Sequence, residues 1–157
     1  MEGLVIRHAA SADIDNILKL QKGLIAHHSK IDKFYGMLNG SRDRFLEYHK
    51  RSIRSRNRVL FVAYRDKKVI GYISGSIKKK SPHYAIKRVG IVDEIFVLAG
   101  YRRRGVANEL FLAVKLWFGK RGLSVIEVEA DSRNRESMST WKALGFEVYT
   151  YRLKMSL

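Results

Sequence analysis

The chain has 157 residues, one proline, no cysteine, 46% hydrophobic and 29% charged residues. This suits one domain over residues 1–157 that buries roughly 70% of its unfolded surface. It excludes a disulfide framework or thiolate metal site. No apolar run approaches the ~20 residues a transmembrane helix needs, so no membrane partner is expected and the cytoplasm is the expected location. The balance of 31 Lys and Arg against 15 Asp and Glu, a net +16, favours a polyanionic partner such as nucleic acid, a ribosomal particle or a phosphorylated cofactor, although a solvated basic surface meets the same count.

Residues Leu4 to His8 alternate weakly and predict a strand at or near a sheet edge. Ser11 reads as an N-cap, and Ile14, Ile17, Leu18, Leu24 and Ile25 then draw the apolar stripe of a first helix reaching about His28. His27 and His28 face different sides of that helix, and no further ligand lies at metal spacing, so no metal site is expected. The loop from Asp32 to Gly40 carries Phe34, Tyr35, Met37 and Leu38, more apolar residues than a solvated loop needs. A second helix opens at Ser41 with Phe45, Tyr48, Ser52 and Ile53 inward, and seven Arg and Lys crowd the segment from Arg42 to Arg58. That segment is read as a solvated face, with polyanion binding as the competing role.

Val59 to Tyr64 and Val69 to Ile77 predict a hairpin closed by Arg65-Asp66-Lys67-Lys68. A long strand from Arg88 to Val97 follows. The chain then turns through Leu98-Ala-Gly-Tyr-Arg-Arg-Arg-Gly-Val-Ala107 into a third helix, whose apolar residues recur at Ala107, Leu110, Phe111, Val114 and Trp117. Val125 to Ala130 alternates as a strand, Glu136 to Leu144 predicts a short helix closed by Gly145, and Phe146 to Leu153 predicts a last strand. The order is β-α-α-β-β-β-α-β-α-β, an α/β (α+β) fold with a mixed, mostly antiparallel sheet flanked by helices.

At the turn before the third helix, unpartnered helical N–H groups and a crowd of arginines make an anion site. The pattern Arg102-Arg103-Arg104-Gly105-Val106-Ala107, the strand before it and the amphipathic helix after it resemble the GNAT superfamily of acetyl-CoA-dependent N-acetyltransferases. So does the later block from Asn134 to Trp141 with Leu144-Gly145-Phe146. The likeness runs from Leu4 to about Leu153.

The resemblance implies that acetyl-CoA is the co-substrate. It implies that the residues from Arg102 to Ala107, namely Arg102, Arg103, Arg104, Gly105, Val106 and Ala107, hold the pyrophosphate. Gly105 and Ala107 give the clearance for close backbone approach. It assigns Phe96, Val97 and Leu98 to backbone pairing with the pantetheine arm, the Val97 N–H to the thioester carbonyl, and Asn134 either to a cofactor contact or to a helix cap. The reaction implied is direct attack of a primary amine, of a peptide or a small molecule, on the thioester. The base is sought among Asp93, Glu94, Glu127 and Glu129, with Glu94 and Asp93 preferred. Strand alternation puts Asp93 and Glu94 on opposite faces unless a bulge intervenes. Where many relatives carry a Tyr acid, this chain has Trp141, which leaves Tyr149 or Tyr151 as substitutes, an unassisted thiolate, or a catalytically weak CoA-binding sensor. A homodimer is expected from the resemblance alone.

Overall fold

A computed structural model describes residues 3–35 and 41–156. Nine labelled elements follow in chain order: β1 (Val5–His8), α1 (Ile14–Ile31), α2 (Ser41–Arg54), β2 (Arg58–Arg65), β3 (Lys68–Lys79), β4 (Arg88–Val97), α3 (Val106–Gly119), β5 (Ile126–Val128) and α4 (Arg135–Ala143). Among the described residues the strands form one sheet in the order β1-β2-β3-β4-β5. The first three pairings are antiparallel and β4 with β5 is parallel, α3 making the crossover that a parallel connection requires.

The uninterrupted apolar run of β2 is explained by burial on both faces. Val59, Phe61 and Ala63 join the core built with Val106, Leu110, Val114 and Phe118 of α3 and Trp141 of α4. Leu60 and Val62 join the opposite core, made by Ile17, Leu20 and Leu24 of α1 with Val69 and Tyr72 of β3. The hairpin turn is made by Asp66 and Lys67 at φ 50° and 60°, both left-handed as a two-residue hairpin turn demands.

Several expected boundaries move. Ser11 opens a short 3-10 turn, Ser11–Asp13, and the N-cap position of α1 falls on Asp13, whose carboxylate turns back to accept from the Ala10 N–H at 2.8 Å and from the Arg7 guanidinium at 2.6 Å. Helix α1 runs on to Ile31, and β5 shrinks to three residues. In the loop after α1, Lys33–Tyr35 form a 3-10 turn with Phe34 76% exposed; Met37 and Leu38 lie outside the described residues.

The last expected strand, Phe146 to Leu153, is absent. Residues 146–156 belong to no helix or strand, and Tyr151 and Leu153 are 83% and 91% exposed. Alternating apolar residues form a strand only beside a ladder and over a core, and the three-residue β5 offers little of either. The segment is tethered instead by ion pairs, Arg152 to Glu129 at 2.7 Å and Lys154 to Asp32.

Candidate functional site

Strand β4 pairs with β5 only through Gly90, Ile91 and Val92. Beyond Val92 the two strands part, and Asp93 to Val97 border a gap on that side. Just past the end of β4 the Leu98 N–H donates to Ile70 O of β3 at 2.9 Å. Because N–H groups alternate sides along a strand, the Val97 N–H points the other way, into the gap. The Val97 carbonyl shares that side, where it accepts from Arg102 Nε at 2.9 Å.

The turn between β4 and α3 owes its shape to left-handed residues. Arg103 sits at φ 55° and Gly105, the N-cap of α3, at φ 79°, a conformation glycine reaches without a Cβ clash. The Glu109 N–H donates to Gly105 O at 3.1 Å and closes the first helical turn. The N–H groups of residues 106–108 precede that bond and have no carbonyl four residues back inside the helix.

Val106 turns its side chain into the core while Arg103, Arg104 and Gly105 are exposed. The guanidinium of Arg102 lies 5.4 Å from the Phe96 ring centroid and 3.4 Å from Glu136, besides holding Val97 O. An open cleft of about 440 Å³ beside it is lined by Ala99, Arg102, Arg103 and Glu136. Next along the chain, the exposed Arg103 and Arg104 and the first-turn N–H groups of α3 are the kinds of donor a phosphate group needs. Asn134 is the cap of α4: its side-chain oxygen accepts from the Ser137 N–H at 3.1 Å, and the residue is buried.

The carboxylates of β4 are brought together by an irregularity that alternation alone does not show. Opposite Ser74 lies Glu94, but opposite Gly75 lies Val92, so Asp93 is the extra residue of a β-bulge. Gly75 backs onto Val114 and Phe118 of α3, and its neighbour Ser76, on the other face, donates to Asp93 Oδ1 at 3.0 Å. Glu94 faces that side too. Its Oε2 accepts from Tyr72 at 2.8 Å, and both oxygens accept from Gln21 Nε2 at 3.0 and 3.1 Å.

Asp93 and Glu94 therefore share the face covered by α1 and α2. Burial pushes both carboxyls above their ordinary range. Hydrogen bonds from Tyr72 and Gln21 oppose this at Glu94 while the Asp93 charge adds to it, and Ser76 opposes it at Asp93. Asp93 Oδ2 is buried without a partner among the described residues.

The other carboxylates are committed elsewhere. Glu127 binds Lys80 at 2.7 Å and Glu129 binds Arg152. Asp131 and Asp32 both hold Arg133 at 2.7 Å, and Tyr35 donates to Asp131 at 3.4 Å; Arg133 above all holds Asp131 down to about 2.

Trp141 is packing: it is buried edge-on against Phe111 and Phe146, with ring centroids 6.3 and 5.3 Å away. Tyr149 and Tyr151 are exposed. Among the described residues no cluster of three or more His, Cys, Asp or Glu could hold a metal, and no helix is long and apolar enough to cross a membrane.

Two polar residues at this site were missed in the sequence. Gln21 and His49 lie on apolar helix faces and are completely or almost completely buried. Their positions inside predicted stripes were the available signal, since a buried polar group must find a partner.

The acetyltransferase (GNAT) family model matches residues 26–146. The aminoglycoside N(6')-acetyltransferase type 1 of Salmonella typhimurium is 33% identical over 88 residues, which cover 55% of this chain and 61% of that protein. The chain thus spans about three fifths of the length of the curated relatives it matches. The structure of AAC(6')-Iy in complex with the bisubstrate analog CoA-S-monomethyl-acetylneamine superposes with a TM-score of 0.77 at 25% identity, covering 97% of this chain and 99% of that one. A predicted acetyltransferase with acetyl-CoA from Clostridium acetobutylicum shares the fold with a TM-score of 0.77 at 17% identity, over 98% of this chain and 96% of its own. The parted strands, the glycine-capped turn and the family match agree, and the chain belongs to the GNAT family of acetyltransferases.

Proposed function

We propose that this chain is an acetyl-CoA-dependent N-acetyltransferase whose acceptor is the primary amine of a small molecule, with aminoglycosides the first class to assay. The observation that carries this reading is the bulge at Asp93, which sets two partly buried carboxylates on one face of the strand that also aims the Val97 N–H into the gap. The acceptor class is taken from the named Salmonella relative and from the neamine-derived analog bound to AAC(6')-Iy.

When bound, acetyl-CoA supplies an activated thioester. The backbone N–H groups after Gly105, with Arg103 and Arg104, hold its phosphates; Phe96 to Leu98 align the pantetheine arm; and the Val97 N–H donates to the thioester oxygen. An incoming ammonium has no lone pair and must first lose a proton. Glu94 accepts it, being nearer along β4 to Val97. Asp93, whose buried Oδ2 has no partner among the described residues, adds negative charge that favours the cation and, by like charge, keeps Glu94 basic. Trp141 has no acid role, so the thiolate leaves without a tyrosine at that position, consistent with the low pKa of thiols.

The first test is a thermal-shift titration. Acetyl-CoA or CoA at 100 times its dissociation constant should stabilise the fold by ~2.7 kcal/mol. Thiol release from acetyl-CoA is then followed with neamine, a polyamine and an α-amino peptide. A shift with CoA but no amine-dependent thiol release would replace the enzyme reading with a CoA-binding one, and no shift would remove both.

A further inference from the structure

The carboxylate of Glu94 is the end of a buried polar chain that crosses three elements. His49 of α2, fully buried, places Nε2 at 3.2 Å from Gln21 Oε1 of α1, and Gln21 Nε2 in turn donates to both oxygens of Glu94 on β4. A glutamine amide can sit either way round, and presenting its oxygen to a carboxylate would be repulsive. Glu94, which only accepts, favours the orientation with Nε2 toward it, and a donor on the far side reinforces that orientation. His49 is that donor when its hydrogen is on Nε2. Its Nδ1, buried without a partner among the described residues, is then a bare lone pair rather than an orphaned N–H, the less costly of the two.

We propose that Gln21 is a positioning residue for the base, its amide locked by the Nε2–H tautomer of His49 so that it holds Glu94 ionised and aimed. This rests on the reading of Glu94 as the proton acceptor. Every element packed on Glu94 contributes a group: Tyr72 from β3 and Gln21 from α1 donate to it, Asp93 precedes it on β4, and Tyr48 lies near both carboxyls from α2. Tyr72 is pushed well up by its burial and by the Glu94 charge, so it remains a donor throughout the working range. His49, lowered by burial to about 4, stays neutral and keeps the single hydrogen that the tautomer needs. Only Gln21 has an orientation to lose.

The experiment follows the Glu94 carboxyl by carbon-13 NMR titration, with the resonance assigned from Glu94→Gln. Removing a hydrogen bond to a charged acceptor in Gln21→Leu should raise the Glu94 midpoint by about one pH unit. His49→Phe, which keeps bulk but frees the amide to turn, should raise it less. His49→Gln retains an N–H at the Nε2 position and should leave the midpoint near that of the unaltered protein. The acid limb of kcat/KM with neamine should move upward in step, with KM for acetyl-CoA unchanged. An unmoved Glu94 titration in a folded Gln21→Leu protein overturns the proposal. Should that variant not fold, identical titrations in His49→Phe and His49→Gln overturn it as well. Full turnover by Glu94→Gln would instead remove the base assignment and leave the titration result standing as a structural fact.

Discussion

The two ends of β4 solve different problems by different means. At the Val97 end the groups on offer belong to the backbone: an N–H turned into the gap, a left-handed glycine and the open first turn of α3. At the Asp93 end the groups on offer are side chains, drawn from α1, α2, β3 and β4 into one buried network. A backbone site asks only that certain positions be small and certain φ angles reachable, and it stays compatible with many sequences. A side-chain site depends on partners far apart in the chain, so one substitution disturbs the rest. Under the proposed function the chemistry would divide the same way, with the thioester at the first end and the amine at the second.

Five substitutions test this division. The largest effect is on the packing that supports the backbone end: Trp141→Ala should lower stability by about 3–5 kcal/mol, seen in denaturant unfolding, because it opens a cavity between Phe111 and Phe146. Next, Glu94→Gln should lower kcat about 100-fold in the thiol-release assay while the CoA thermal shift persists, separating the two ends.

Third is a pH effect on stability at the side-chain end. His49 has a folded pKa near 4, below its ordinary 6.5, so the stability of the neutral form is present above pH 6.5 and is lost as pH falls toward 4. Unfolding at pH 7 and at pH 4 should differ by about 2–3 kcal/mol more in the parent than in His49→Gln.

Fourth, Gly105→Val places a β-branched residue at φ 79°. It should cost about 1–2 kcal/mol and abolish the CoA thermal shift, while the Glu94 titration is unmoved. Retained CoA affinity would show that the backbone turn is not the phosphate site. The smallest effect is expected from Arg152→Ala: its side chain is 80% exposed, and loss of the pair with Glu129 should leave the unfolding midpoint unchanged.

Much of the backbone end was legible in the chain. The run from Val89 to Trp117 announces strand, turn and helix through β-branched residues, then Gly105, then helical periodicity, and those signals are local. Asn134 could be read two ways from the sequence; its bond to the Ser137 N–H identifies it as a cap. The sequence offers Asp93 and Glu94 as candidates by type and position, but not their shared face. Strict alternation separates Asp93 from Glu94, and the bulge that reunites them is a property of register against Ser74 and Gly75. The last strand was misread for a similar reason: Val148, Tyr149, Tyr151 and Leu153 carry strand-forming character, but pairing is decided by what lies alongside.

The sequence by itself determined the order of elements through α4, the glycine-capped turn and the family likeness, because these depend on spacing over a few residues. The tertiary structure alone decided that Gln21 reaches Glu94 and His49 reaches Gln21, and that Arg102 closes on the Val97 carbonyl. It also decided that residues 146–156 add no strand. Those outcomes join positions up to 73 residues apart, and no local pattern carries the geometry of contacts made across the fold.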